Sequence, residues 1–157
     1  MKDVIKTADR GIWIRPSSVF ALIKVFWLLL VAVAMLLLGW RFLPALIWIS
    51  LFAVICAGYR YLYIRRIYYI ITDEYLEVRQ GLLFKRIDTI ELFRIKDYIL
   101  LQPLLLQVFK LMDLQLKTTD PANGEVWLRG IPRFDIIEIL RERVLKTRRN
   151  NGIYEIN

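Results

Sequence analysis

Two long apolar stretches near the start of the chain predict a pair of membrane-spanning helices. Residues 19–40 contain a single charge, Lys24, and residues 42–63 are uncharged over most of their length. Because about 20 helical residues cross a hydrocarbon core of about 30 Å, each stretch is long enough to span a membrane. A tight turn near 39–44 begins with a glycine and ends with a proline, residues that suit a helix end and a helix start. The pattern predicts a transmembrane helical hairpin over 19–63.

The pattern changes after the hairpin, where short runs of β-branched and aromatic residues alternate with polar ones. Such runs are typical of half-buried strands. They predict about six short strands, near 67–72, 76–79, 83–92, 95–101, 114–118 and 126–129. Residues 103–112 are apolar without clear alternation, so a short helix and a bent strand remain alternatives there. The sequence Asp-Pro-Ala-Asn-Gly at 120–124 predicts a hairpin turn, because proline fixes φ and Asn-Gly accepts positive φ.

The last predicted element is an amphipathic helix. Phe134, Ile137, Leu140 and Val144 recur at helical spacing on one face, and Pro132 suits the first turn. A curved antiparallel sheet leaves an open face or end, and a terminal helix laid across it would bury this apolar stripe. The predicted fold class is therefore a membrane α-helical hairpin followed by a small β-rich α+β domain.

This organisation divides the chain into four parts. We expect a cytoplasmic N-terminal basic segment over 1–18, the hairpin over 19–63, a cytoplasmic domain over 67–149 and a tail over 150–157. About 90 residues outside the apolar region leave room for one small domain.

Positive charge is concentrated in the apolar part of the chain. The formal net charge is +8, and residues 1–66 hold nine Lys and Arg against two Asp, whereas residues 67–157 are nearly neutral. Of those nine cations, only Arg41 lies on the side of the hairpin turn. Since the cytoplasmic side carries the excess of Lys and Arg, both termini are predicted to be cytoplasmic.

Five arginines flank the predicted spans on this side and are candidate contacts for lipid headgroups: Arg10, Arg15, Arg60, Arg65 and Arg66. A cation near an anionic membrane surface contributes about 1 kcal/mol, so this basic collar would hold the domain against the anionic inner leaflet. The alternative is that these charges only set the topology.

Three small residues on the second span form a candidate helix-packing face. Ser50, Ala53 and Ala57 recur on one side of the helix, and small residues allow helices to approach closely. The face would pack against the first span of the same hairpin or, alternatively, between protomers.

The composition excludes several kinds of site. The chain has no His and one Cys, so it cannot build a Ser-His-Asp or Cys-His pair, an intrachain disulfide or a cysteine-rich zinc site. The nearly neutral domain lacks the basic stripe that nucleic-acid binding needs. We expect no catalytic, cofactor-binding or metal-binding residues, no nucleic acid as a partner, and no enzyme activity.

A series of short motifs along the domain resembles a known family: Tyr69-x-x-Thr72, Leu76-x-x-Arg79-x-Gly81-Leu82-Leu83, Arg94-Ile95-x-Asp97, Gln102-x-x-Leu105 and Gly130-Ile131-Pro132. Their order and spacing resemble the bacterial pleckstrin-homology-like (PH-like) proteins of the DUF304 type. The resemblance implies a PH-like curved antiparallel sheet or barrel, capped by a C-terminal helix and preceded by a two-span hairpin, in the bacterial inner membrane. The chain differs from the family's pattern at residues 109–112, where the family usually has a Phe-Gly-Leu-Gly-like stretch and this chain has Phe-Lys-Leu-Met.

These observations favour a non-enzymatic, membrane-anchored interaction or scaffold module. The hairpin would present the domain at the cytoplasmic face, where exposed strand edges could bind an unidentified protein by strand addition, or the domain could bind a lipid headgroup. The alternative is a subunit of an oligomeric assembly that associates through the small-residue faces of its spans. A scaffold suits such an assembly better than a channel, because the spans offer little polar lining.

Overall fold

The computed structural model describes residues 5–8 and 11–150, with side chains described from 11 to 149. Within these residues the elements follow the order β1 (Ile5–Ala8), β2 (Gly11–Ile14), α1 (Ser18–Arg41), α2 (Ala45–Arg65), β3 (Tyr68–Ile71), β4 (Tyr75–Gln80), β5 (Arg86–Glu91), a 3-10 turn (Leu92–Arg94), β6 (Ile95–Leu101), α3 (Leu104–Val108), β7 (Leu111–Thr118), β8 (Glu125–Pro132) and α4 (Ile136–Asn150).

Helices α1 and α2 pack side by side as the hairpin that the apolar stretches predict. The Ser17 side chain accepts a hydrogen bond from the Val19 N–H and caps the start of α1. Both helices are long and apolar enough to cross a membrane. In the most apolar 18-residue stretch of each helix, only 17% (α1) and 11% (α2) is buried by the rest of the chain. A core helix of a globular domain would bury its apolar side chains instead, so α1 and α2 are candidate spans.

The strands form two antiparallel sheets rather than one closed barrel. One sheet has the order β1-β2-β3-β4-β5 and the other has the order β6-β7-β8. Strands β3 to β8 correspond to the six runs predicted from the alternating pattern. The core lies between the sheets, where Ile71 and Leu76 of the first sheet and Leu114 and Leu128 of the second are fully buried.

Strands β1 and β2 lie in the segment 1–18, where the sequence pattern predicted no strand. β2 pairs with β3 in the register Ile12↔Ile71, Trp13↔Ile70 and Ile14↔Tyr69. The hairpin is therefore inserted between two neighbouring strands of one sheet, and both of its ends are held by that sheet. Each of these strands has only four residues, so the alternation of apolar and polar residues is too short to identify a strand from the sequence.

The structure also settles the segment 103–112 and corrects the start of the last helix. Residues 104–108 form the short helix α3, and strand β7 begins at Leu111. Pro132 was predicted in the first turn of the last helix, but it pairs with Leu111 at the end of β8, and α4 begins at Ile136. The end of an edge strand tolerates proline, because its missing N–H is not needed there.

Helix α4 covers one end of the sandwich. Its Ile136, Leu140 and Val144 are buried in the core between the sheets. The Thr147 hydroxyl donates to the carbonyl of Asp73, which lies in the β3–β4 turn, at 2.8 Å. Since β3 leaves α2 and rises about 3.3 Å per residue over four residues, this turn lies about 13 Å from the hairpin. We call this the far end, and we call the end where the sheet meets α1 and α2 the hairpin end.

Candidate functional site

The hairpin and the domain are joined by a close contact at Gly130. The Ser17 N–H donates to the Gly130 carbonyl at 2.9 Å, and the Asp113 carboxylate accepts from the Gly130 N–H at 2.6 Å. Gly130 has φ +64°, and an added Cβ would overlap the ring of Phe20 on α1. Only glycine fits both the backbone conformation and the space, so the start of α1 is fixed directly on strand β8.

A small apolar cluster completes this joint. Phe20 and Ala21 of α1 and Ile64 of α2 are buried together with Leu106 of α3 and Leu111 of β7. In addition, the Arg65 guanidinium donates to the Pro16 carbonyl at 3.4 Å. The hairpin base, α3 and the second sheet are therefore packed as one unit.

A cleft opens between the two sheets at the hairpin end. Its volume is about 590 Å³. Apolar and aromatic side chains, among them Ile64, Tyr69, Val78, Ile90 and Val126, line its deeper part. Charged side chains also line it: Lys24, Arg60, Arg86 and Arg129 with Asp88 and Glu125. We call it the inter-sheet cleft. It lies between β5 and β8, each of which is the last strand of its sheet.

A second groove runs along the outer side of the first sheet, beside the C-terminal end of α2. Its volume is about 540 Å³, and five cations line it together with two aromatic rings: Arg15, Arg66, Arg79, Lys85 and Arg86, with Trp13 and Tyr68. We call it the basic groove. The Arg15 guanidinium lies 4.2 Å from the centre of the Tyr68 ring, which holds this cation at the groove.

Three of the five arginines of the predicted basic collar line these two surfaces. Arg15 and Arg66 line the basic groove, Arg60 lines the inter-sheet cleft, and Arg65 lies at the hairpin base. Arg10 lies outside the residues whose side chains the structure describes.

Three groove cations, Arg79, Lys85 and Arg86, were not among the predicted site residues. They follow one another around a predicted strand end, and this local excess of cations is the signal that could have found them. Two of them also form ion pairs with carboxylates: Arg79 pairs with Glu77 at 2.7 Å, and Arg86 pairs with Asp88 at 2.9 Å.

The small-residue face of α2 lies toward α1. Ser50 and Ala57 are buried, Ala53 is half-buried, and the Ser50 hydroxyl donates to the Ala32 carbonyl of α1 at 2.8 Å. This placement favours packing within the hairpin.

The described residues offer little for catalysis or metal binding. Among them, no group of three or more Cys, Asp and Glu side chains is placed to hold a metal ion. Within the part of the chain that the structure describes, burial raises the pKa values of Tyr69 and Tyr98 to about 12, and the hydrogen bond to Glu77 raises the pKa of Arg79.

Two tyrosines, the buried Tyr69 and the partly buried Tyr98, give a matched test of the domain core. The Tyr69 hydroxyl accepts a hydrogen bond from the Arg129 N–H at 3.0 Å, whereas the buried Tyr98 hydroxyl has no hydrogen-bond partner among the described residues. We expect Tyr69→Phe to lower the free energy of unfolding by about 1–2 kcal/mol, because it leaves that N–H unpaired. Tyr98→Phe should leave it unchanged or raise it. Chemical unfolding in detergent at pH 8 measures the free energy of unfolding of both variants. If both variants lose the same amount, the hydrogen bond assigned to the Tyr69 hydroxyl does not stabilise the fold.

The same tyrosines make the stability of the fold depend on pH in the alkaline range. Burial raises the pKa of each hydroxyl from 10.0 to about 12, so each holds its proton more tightly in the folded state. Their contribution is fully present below pH 10 and is lost as the pH rises through about 12. The loss of stability above pH 10 should therefore be smaller in Tyr98→Phe than in the wild type.

Comparison with known proteins gives a family match over most of the chain. Residues 17–146, which include both candidate spans and most of the sandwich, match the bacterial PH domain family. No curated protein and no solved structure gives a significant match. The predicted PH-like relationship is confirmed at this level, and the narrower DUF304 type stays a prediction. The chain belongs to the bacterial PH domain family.

Proposed function

We propose that the chain is a non-enzymatic, membrane-anchored binding module that presents a PH-like domain at the cytoplasmic face of the bacterial inner membrane. The insertion of the hairpin between β2 and β3 carries this proposal. A tether attached at one chain end would let the domain turn freely. Two helices that enter and leave neighbouring strands hold the domain in one orientation to the bilayer.

In this arrangement the domain comprises residues on both sides of the hairpin. The segment 1–18 contributes β1 and β2, residues 19–63 include the two spans, and residues 67–149 supply the remaining strands and α4. The basic groove and the inter-sheet cleft then both open near the membrane surface, and anionic lipid would attract the collar cations Arg15, Arg60 and Arg66.

The inter-sheet cleft is the proposed binding site for a protein partner. It has an apolar floor and lies between β5 and β8, two strands that each have a sheet neighbour on one side. An extended segment could add to such an edge through main-chain hydrogen bonds and place side chains in the cleft. The cleft is lined by four cations and two carboxylates, and this excess of positive charge favours an acidic segment as the partner.

Site-specific photo-crosslinking in living cells tests this proposal. A photoreactive phenylalanine analogue at Trp127, which lines the cleft, should capture a distinct protein, and Arg129→Glu in the same chain should abolish the adduct. The matched control replaces Tyr75, an exposed aromatic residue that follows the β3–β4 turn at the far end. The proposal is wrong if neither position gives an adduct at a normal membrane level of the protein, or if both give the same one.

The alternative proposal, an oligomeric scaffold, needs another helix surface. Because Ser50 and Ala57 are buried against α1, copies would meet through exposed bulky side chains such as Trp48 and Phe52. The native mass in mild detergent tests this alternative, and a strictly monomeric species counts against it.

A further inference from the structure

The large exposed apolar side chains of the domain are concentrated in two segments. Among the described residues after α2, all but Tyr75 and Leu145 lie in one of them: Leu83, Phe84 and Ile87 around the β4–β5 loop, and Leu100, Leu101, Leu104, Leu105, Val108 and Phe109 around α3. We call these the loop segment (residues 81–87) and the α3 segment (residues 100–109). Contiguous exposed apolar surface of this kind marks an interaction site.

The loop segment projects from the hairpin end. Tyr68 begins β3 just after α2 and pairs with Arg79, so β4 runs toward the hairpin, and the loop after Gln80 continues in that direction. Leu83 and Phe84 at its tip are 77% and 91% exposed. The turn is compact, because Gly81 has φ +114° and an added Cβ would overlap the Phe84 carbonyl.

The α3 segment lies against the base of the hairpin. Leu106 packs with Phe20 and Ala21 of α1, while its neighbours Leu104 and Val108 point outward and are 80% and 75% exposed. Lys24, which lines the inter-sheet cleft near the membrane, is one helical turn beyond Phe20. At about 1.5 Å per residue, α3 therefore lies about 6 Å from the level of Lys24, within the thickness of a headgroup layer.

We propose that the loop segment and the α3 segment insert into the interfacial layer of the leaflet that the hairpin enters. This inference rests on the membrane anchoring proposed above and adds two further contacts to it. The apolar surface of α3 continues that of the candidate spans through the Phe20 cluster, and the loop tip is followed by Lys85 and Arg86. An apolar tip flanked by cations is complementary to acyl chains beneath anionic headgroups, and less so to a purely apolar protein surface.

Single-cysteine labelling of the full chain tests the inference. Cys56 is the only cysteine, and Cys56→Ala provides the background for Leu83→Cys, Val108→Cys, Ile55→Cys and Leu145→Cys. Each variant carries an environment-sensitive fluorophore and is reconstituted at low protein density in phosphatidylglycerol–phosphatidylethanolamine vesicles. Fluorescence quenching is measured with an acyl-chain spin label and with a water-soluble paramagnetic quencher.

Leu145→Cys is the matched control, because Leu145 is also exposed and apolar but lies on α4, beside the residues that contact the far end. Labels at Leu83 and Val108 should be quenched several-fold more by the spin-labelled lipid than the label at Leu145, which the aqueous quencher should reach. Ile55 lies within α2 and reports on the hairpin itself.

The outcomes separate the two proposals. If the Ile55 label is quenched by lipid but the Leu83 and Val108 labels behave like the Leu145 label, the insertion is wrong and the anchoring stands. If the Ile55 label is not quenched by lipid, the anchoring itself fails. Shielding of Leu83 and Val108 that grows with protein density, without quenching by lipid, would assign these segments to contacts between copies and would also overturn the inference.

Discussion

Gly130→Ala is expected to lower the free energy of unfolding by about 2–5 kcal/mol, the sum of two effects at one position. A side chain at φ +64° costs about 1–2 kcal/mol. The added Cβ also overlaps the Phe20 ring, and overpacking of a filled site costs about 1–3 kcal/mol. Denaturant unfolding in detergent measures the loss.

A double-mutant cycle with Phe20→Ala separates the two effects. Phe20→Ala removes the ring that the new Cβ would meet, so Gly130→Ala in that background should cost only the backbone part, about 1–2 kcal/mol. Gly124→Ala is the control, because an added Cβ there has no atom within 4 Å and should change stability little. Additive effects of Gly130→Ala and Phe20→Ala would show that the two residues are not in contact.

This junction matters because it makes the hairpin part of the fold. If Gly130→Ala displaces Phe20, the small cluster that joins α1, α2, α3 and β7 loses its centre. We then expect the domain to move relative to the bilayer while both units keep their secondary structure. The proposed function requires a fixed orientation, so partner capture at Trp127 should fall in this variant.

How much of the fold the sequence predicts depends on the length of each signal. The hairpin is found because each span repeats one signal over about 20 residues, and α4 is found because its apolar stripe recurs over about three turns. The six later strands alternate clearly enough to be placed. By contrast, β1 and β2 have four residues each, and their place in the sheet depends on the pairing of β2 with β3. The paired residues Trp13 and Ile70 are 57 positions apart in the sequence, and no local pattern reveals such a contact.

The same limit applies to the local details that the sequence pattern placed wrongly or left open. Pro132 suited a helix start by its local preference, but strand pairing with Leu111 decides its position. Lys110 adopts φ +54° at the place where the resembling family usually has its first glycine. Lys110 adopts this left-handed conformation although it is not a glycine, because α3 and β7 on either side fix the direction of the chain.

For the candidate site, the sequence identifies the cations nearest to the spans and misses those that the fold brings to them. Arg15 and Arg66 flank the apolar stretches and were predicted on that ground. Arg79 and Lys85 reach the same groove only because β4 runs back toward the hairpin after its pairing with β3. The inter-sheet cleft is likewise a product of the two-sheet arrangement, since its lining comes from α1, α2 and both sheets.

Leu140→Asp is expected to unfold the domain while the hairpin stays in the membrane. Leu140 is on the buried face of α4 and is fully buried in the core, so an ionised carboxylate at this position would not be hydrated by water. The cost of burying such a charge, more than about 4 kcal/mol, is a large share of the roughly 5–15 kcal/mol that holds a domain folded. In inverted membrane vesicles, added protease should therefore digest residues after α2 and leave a hairpin fragment in the pellet.

Leu145→Asp supplies the matched control, because it places the same charge on the same helix at an exposed position. Its domain should resist protease as the wild type does, since a solvated carboxylate disturbs neither the core nor the apolar stripe of α4. The pair also tests the orientation of the hairpin, because protease reaches the domain in inverted vesicles only if the domain is cytoplasmic. Leu140→Asp protein that resists protease in inverted vesicles but is digested in intact spheroplasts would place the domain on the opposite side of the membrane, and the proposed function would fail with it.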